Sequence, residues 1–132
     1  MTEAEARELL SFHSGRSVSE NSAHSAGFIE SLRPFTGELC EYGFHEIMEC
    51  LRTLQNEFSQ PMLDRELMAD LMAVIHLSSV WCSLPEMPMT KEQRDTVLNW
   101  SEIISCTLFM LLDGTDEQTA FEAYEAYCRT HE

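Results

Sequence analysis

The sequence predicts an all-α protein, a compact bundle of five or six antiparallel helices that forms a single domain over residues 1–132. Apolar residues recur at steps of three and four along several long segments, as they do on the buried face of a helix. A Ser or Thr followed three residues later by Glu or Gln has capping-box spacing, and this occurs at Thr2, Ser17, Thr90 and Thr115. The chain shows no convincing strand alternation, hairpin signal or internal repeat.

The first helix is predicted over residues 3–13, with its end at Gly15. A serine-rich stretch follows it, and residues 14–37 form the segment that the sequence defines least. This segment is predicted either to hold a short helix over 20–32 that ends before Pro34, or to be partly mobile.

The second long helix is predicted over residues 38–58, where apolar residues form one stripe. Pro61 suits the first turn of the next helix, 61–84, with Ser59 or Gln60 before it as the cap. The apolar residues of this helix cover more than one of its faces. We therefore expect it to be the central helix of the bundle.

Pro85 and Pro88 end that helix and define a short, stiff connection. The next helix is predicted over residues 91–112, and Gly114 supplies its left-handed stop. A last helix is expected to open at Thr115 and to run to about residue 129.

The chain is strongly acidic, with 23 Asp and Glu against 8 Lys and Arg and a formal net charge of −15. This charge argues against direct binding to nucleic acid and against docking on an anionic membrane surface. A protein partner is expected to be basic or to have a basic groove, because opposite charge accelerates encounter and sets specificity. The acids are dispersed along the chain, so a purely solubilising role accounts for the charge equally well.

Neither a targeting signal nor a membrane span is expected. The acidic start lacks the basic and apolar regions of a secretory signal, and the longest strongly apolar run, Ile103–Leu112, is about half of the roughly 20 residues that a span needs.

The five cysteines are odd in number and form no C-x-x-C pair, which is typical of reduced core residues in a cytoplasmic protein. They are Cys40, Cys50, Cys82, Cys106 and Cys128.

Glu41, His45 and Glu49 are the strongest candidates for a polar site. Their spacing of four places them on adjoining turns of one helix, where carboxylates and an imidazole could bind a divalent metal. The segment lacks the second histidine of an H-E-x-x-H motif, and Arg52 offers Glu49 an exposed ion-pair partner. A solvated face without metal or cofactor is therefore the prediction that we favour.

Two further candidate sites lie later in the chain. His76 is flanked by apolar residues and could be a general base or a metal ligand, although a hydrogen-bonded structural histidine is more common in that setting. Met87 and Met89 flank prolines in the connection between two helices. As exposed apolar residues on a rigid turn, they could anchor a partner.

Two classes of function fit these observations. The first is a non-enzymatic protein-binding module, such as an inhibitor, an immunity-type protein or an adaptor, that acts on a basic or nucleic-acid-binding partner. The alternative is a small helical metal or ligand binder, or an enzyme, and it requires Glu41, His45, Glu49 and His76 to converge in one cavity. We favour the first class, because the chain contains neither a nucleophile elbow nor a glycine-rich phosphate or dinucleotide loop.

A homodimer is a third possibility, and it is compatible with the first class of function. The predicted helices over 61–84 and 91–112 have more apolar positions than one buried face requires. Spare apolar surface on these two helices could pair with a second copy of the chain.

Overall fold

A computed structural model describes residues 1–17 and 26–131 of the chain. In this part of the chain the fold is all-α, which confirms the predicted class, and the antiparallel arrangement stays a prediction. Among the described residues, a short 3-10 helix, Gln55–Ser59, accompanies six α-helices. These are α1 (Glu3–His13), α2 (Glu41–Thr53), α3 (Arg65–Cys82), α4 (Lys91–Leu112), α5 (Glu117–Ala120) and α6 (Glu122–Thr130).

The capping boxes at Thr2 and Thr90 set the starts of α1 and α4 as predicted. In α1 the hydroxyl of Thr2 accepts the backbone N–H of Glu5, and the carboxylate of Glu5 accepts that of Thr2, each at 3.1 Å. Thr90 and Gln93 exchange the same two bonds at 3.1 and 3.0 Å. Each box satisfies backbone donors that a helix start would otherwise leave free.

The prediction for residues 14–37 can be followed only in part. The Ser17 capping box requires Glu20, which lies outside the described residues, as do residues 20–25 of the predicted helix over 20–32. Where the described chain resumes, residues 26–32 form turns rather than the end of a helix. One of these turns is closed by a bond from the Ser31 N–H to the Gly27 carbonyl at 3.0 Å.

The start of α3 was predicted wrongly at Pro61, with Ser59 or Gln60 as its cap. The helix begins after Asp64, whose carboxylate accepts the backbone N–H of Leu67 at 3.0 Å. An aspartate cap satisfies a free backbone donor, which a proline in the first turn cannot do. Pro61 therefore lies in an exposed turn before the helix.

The predicted last helix differs from expectation at its start and in its middle, whereas its end at Thr130 agrees with the predicted end at about residue 129. Asp116 caps its start in place of Thr115, because the Asp116 carboxylate accepts a backbone N–H at 3.0 Å. Phe121 then divides the predicted helix into α5 and α6. The predicted helix over 38–58 is divided in the same way, at Leu54, into α2 and the 3-10 helix.

The helices pack around α4. Both α1 and α4 pack against α2 and against α3. These four contacts close a ring in the order α1, α2, α4, α3. In this ring α2 and α3 lie at opposite corners. Because α4 also packs against α5, α6 and the 3-10 helix, it is the central helix. The expectation that the 61–84 helix is central was wrong, since α3 buries one side and exposes Met72 and Val80 on the other.

An aromatic cluster fills the junction of α2, α4 and α6. Phe44 stacks on Trp100 with ring centroids 5.4 Å apart, and Tyr124 and Tyr127 meet Phe44 edge-on. Such offset and edge contacts add to the free energy that burial itself provides. Within residues 1–17 and 26–131, none of the helices has both the length and the hydropathy of a membrane span.

Candidate functional site

Glu41 and His45 lie on α2 where it faces α6, and both are bonded to tyrosines of that helix. The hydroxyl of Tyr127 donates to a Glu41 carboxylate oxygen at 3.0 Å. The hydroxyl of Tyr124 lies 2.7 Å from Nδ1 of His45, which is half-buried. The two predicted residues therefore join α2 to α6, each through one polar atom of its side chain.

Tyr127 links this surface to the core. Its hydroxyl accepts the indole N–H of Trp100 at 2.9 Å while it donates to Glu41. Burial raises the pKa of Tyr127, and the bond from Trp100 partly offsets that increase. The phenol thus stays protonated in the fold, which keeps it able to donate to the carboxylate.

Glu49 lies further along α2, in a cluster of charges around Arg52. Its predicted ion pair with Arg52 is present at 3.9 Å. The same guanidinium binds Glu125 of α6 at 2.8 Å and lies 3.9 Å from Glu117 of α5, and it covers the ring of Phe121 at 4.4 Å. Three carboxylates thus share one cation, which leaves the cluster with a net charge of −2.

We call this surface the acidic seam, because it follows the junction of α2 with α5 and α6. The carboxylates of Glu49, Glu117 and Glu125 are each about half exposed, at 52%, 49% and 51%. Arg52 is the more buried member of the cluster, at 32%. The acidic seam consists of Glu41, Glu49, Arg52, Glu117 and Glu125.

The structure does not bring His76 to the acidic seam. His76 lies on α3, at the corner of the ring opposite α2, and its side chain is exposed. The favoured interpretation of His76 as a hydrogen-bonded structural histidine was therefore wrong, because position 76 falls on the side of α3 that faces away from the core. The described residues contain no group of three or more His, Cys, Asp and Glu side chains that could hold a metal ion.

Met87 and Met89 do not form an exposed anchor. Met87 is only 8% exposed and lines a cavity of about 210 Å³ between the turn around Pro34 and the connection at Pro88. Met89 is half-buried and packs against the core. The expectation of exposed methionines was wrong, because the connection folds back onto the turn around Pro34.

A buried histidine does exist, and it is His13 at the end of α1. Its Nδ1 accepts the backbone N–H of Phe28 at 3.0 Å, so Nε2 carries the proton and donates to Glu46 at 2.8 Å. A Cβ at Gly43 of α2 would lie 3.3 Å from this ring, so glycine allows the close approach. His13 follows Leu9 and Leu10 at helical spacing, and this was the sequence signal for its burial.

Comparison with family models, curated proteins and solved structures finds no match to this chain. The function is therefore inferred from the geometry of the acidic seam and from the charge of the surface around it.

Proposed function

We propose that this protein is a non-enzymatic protein-binding module whose acidic seam docks onto a basic surface of a partner protein. The observation that supports this proposal is the arrangement around Arg52, where Glu49, Glu117 and Glu125 converge on a single cation. Half-exposed carboxylates with an excess of negative charge can accept further N–H donors. A guanidinium from a partner fits them best, because it presents several donors in a planar fork.

The fold holds these carboxylates in place before a partner arrives. Arg52 fixes the three from one side, and its stacking on Phe121 restrains the guanidinium itself. At the other end of the acidic seam, the hydrogen bond from Tyr127 holds Glu41. A preorganised acceptor surface loses less conformational entropy on binding than freely rotating side chains would.

The chemistry of the partner follows from the sign of the charge. A protein that binds nucleic acid presents a cationic groove, and the acidic seam would meet it where phosphates normally lie. An inhibitor or adaptor of such a protein is the function that we favour. The charge of −15 on the whole chain would accelerate the encounter, and the acidic seam would set its specificity.

The experiment compares capture by the wild type with capture by two triple variants of equal charge. The first variant, Glu49→Gln/Glu117→Gln/Glu125→Gln, neutralises the acidic seam. The control variant, with the same net charge, neutralises three exposed acids elsewhere on the surface. These are Glu30→Gln, Glu86→Gln and Glu102→Gln.

Each immobilised protein is exposed to lysate at about 0.05 M and about 0.5 M salt, and captured proteins are identified by mass spectrometry and then purified. We expect the wild type and the control to retain a basic protein at low salt only. The seam variant should bind the purified partner about tenfold to a hundredfold more weakly, since three exposed charge pairs are lost. Equal affinities for the two triple variants would contradict the proposal, as would a partner that is insensitive to salt.

A further inference from the structure

The outward side of α3 exposes two large apolar side chains. Met72 and Val80 are 52% and 41% exposed there, and the residues between and beside them are small or neutral. We call this side the outer face of α3. It consists of Ala69, Met72, His76, Val80 and Ser83, all of which are exposed.

The outer face carries no carboxylate, although α3 belongs to a chain with 23 acidic residues. Every residue of Arg65–Cys82 is described, and the acids among them are Glu66 and Asp70. Both lie toward Arg16, which approaches them to 3.8 and 2.6 Å. The acids of α3 are thus confined to the side of the helix that faces α1.

This distribution of charge favours one kind of occupant. A basic partner would gain no electrostatic attraction from a face without carboxylates. Two copies of this chain, which each carry a charge of −15, repel one another over most of their surfaces. At the outer face of α3, like-charged copies can approach without carboxylates facing one another, and they can bury apolar side chains. We propose that it pairs with the same face of a second copy of this chain.

The spacing along the outer face defines the geometry of this dimer. Its residues follow one another at intervals of 3, 4, 4 and 3, which is symmetric about His76. In an antiparallel pair with the two-fold axis at His76, Met72 of one copy meets Val80 of the other, and Ala69 meets Ser83. The contact is isologous, as a two-fold dimer requires, and the small residues at its ends allow close approach of the helices.

The dimer is expected to be weak and reversible. From residue 69 to residue 83 the face extends over about 21 Å of helix, so the interface is smaller than those of stable dimers. We expect a dissociation constant on the order of 100 µM. The proposal does not depend on the acidic seam, because α2 and α3 occupy opposite corners of the ring.

Sedimentation equilibrium from about 10 µM to about 1 mM protein tests the association directly. Met72→Glu should leave the protein monomeric up to about 1 mM, since in the dimer each copy would lose an apolar contact and add a negative charge. A matched pair gives the control: Ala69→Glu on the outer face should weaken association, whereas Ala123→Glu, exposed on α6, should change it less than about threefold. A monomeric wild type at the highest concentration would overturn the proposal, and so would equal effects of the two alanine variants.

Cysteine cross-linking tests the position of the axis. Residues at a two-fold axis face their own copies, so His76→Cys should form a disulfide-linked dimer under mild oxidation at least about tenfold faster than Ala69→Cys or Ala123→Cys. The wild type supplies the background, since its own cysteines are buried or half-buried. Cross-linking of Ala69→Cys as fast as that of His76→Cys would overturn the antiparallel arrangement.

Discussion

The acidic seam and the outer face of α3 lie at opposite corners of the same helical ring, and they differ in how their polar groups are engaged. At the acidic seam, Glu41 and Arg52 form direct bonds to side chains of α6, which ties the surface to the core. The outer face exposes Met72 and Val80 and lacks carboxylates. Substitutions at the acidic seam should therefore affect both folding and binding, whereas substitutions on the outer face should affect association alone.

The largest effect is expected at alkaline pH, because burial raises the pKa of several cysteine and tyrosine side chains in the fold. It raises the pKa of Cys50 to about 12 and that of Cys82 to about 11, and it raises the pKa of Tyr124 and of Tyr127. Each group keeps its proton in the fold at a pH where the unfolded chain has lost it. The stability that these groups contribute is complete below about pH 9 and is lost as pH rises toward the folded-state values.

Urea denaturation followed by circular dichroism between about pH 8 and about pH 12 measures this loss. We expect the free energy of unfolding to fall from about pH 9 upward. In Cys50→Ala, one titrating group is absent, and the slope should become shallower by about 1.4 kcal/mol per pH unit over the upper part of this range. An unchanged slope in this variant would show that Cys50 does not contribute to the alkaline loss.

The next largest effect is expected for Tyr127→Phe. This variant leaves the buried indole N–H of Trp100 without its acceptor and Glu41 without its donor. We expect a loss of about 2 kcal/mol in the free energy of unfolding, measured by urea denaturation at neutral pH. Tyr124→Phe is the control, and it should cost about 1 kcal/mol or less, because the half-buried His45 can turn toward water. Equal losses in the two variants would contradict the expectation that the hydrogen bonds of Tyr127 contribute more to stability than the contact between Tyr124 and His45.

Salt distinguishes the two surfaces by the direction of its effect. Between about 0.05 M and about 0.5 M salt, binding of a basic partner at the acidic seam should weaken about tenfold or more, because screening removes attraction. Over the same range, association through the outer face of α3 should strengthen about threefold, because screening reduces repulsion between two acidic copies. Sedimentation of the protein alone and titration with a purified partner give the two constants. If salt shifted both constants in the same direction, this would contradict the proposal that the acidic seam binds a basic partner whereas the outer face of α3 pairs two acidic copies.

Much of the fold could be predicted from local chemistry. The Thr2 and Thr90 capping boxes, the apolar period of α4 and the left-handed Gly114 each act over a few residues, so the sequence alone was sufficient to place them. Where two local signals competed, the prediction failed, as at Pro61 and Asp64. The Asp64 carboxylate accepts a backbone N–H at the start of α3, and it also binds Arg7 of α1. Arg7 is distant from Asp64 in sequence, so no local pattern contains this contact.

The candidate site depended on contacts that no local pattern contains. Helical spacing placed Glu41, His45 and Glu49 on one face. The tyrosines that bond to Glu41 and His45 come from α6, more than 60 residues further along the chain. Glu117, which shares Arg52 with Glu49, is equally distant in sequence. His76 was misplaced for a related reason. Apolar neighbours suggest burial only if both sides of a helix are covered, and α3 is covered on one side.

The smallest effect is expected for Met72→Ala on the outer face of α3. In dilute solution, at about 5 µM, about half of the Met72 side chain already faces water in the folded chain, so the free energy of unfolding should change by less than about 0.5 kcal/mol. The neighbouring Leu71 is fully buried, and Leu71→Ala should cost about 2–5 kcal/mol in the same assay. At about 1 mM protein, association stabilises the folded wild type by mass action, so a difference between the wild type and Met72→Ala should appear. Chemical denaturation at the two concentrations measures this, and a cost for Met72→Ala that does not depend on concentration would place its contribution within the monomer.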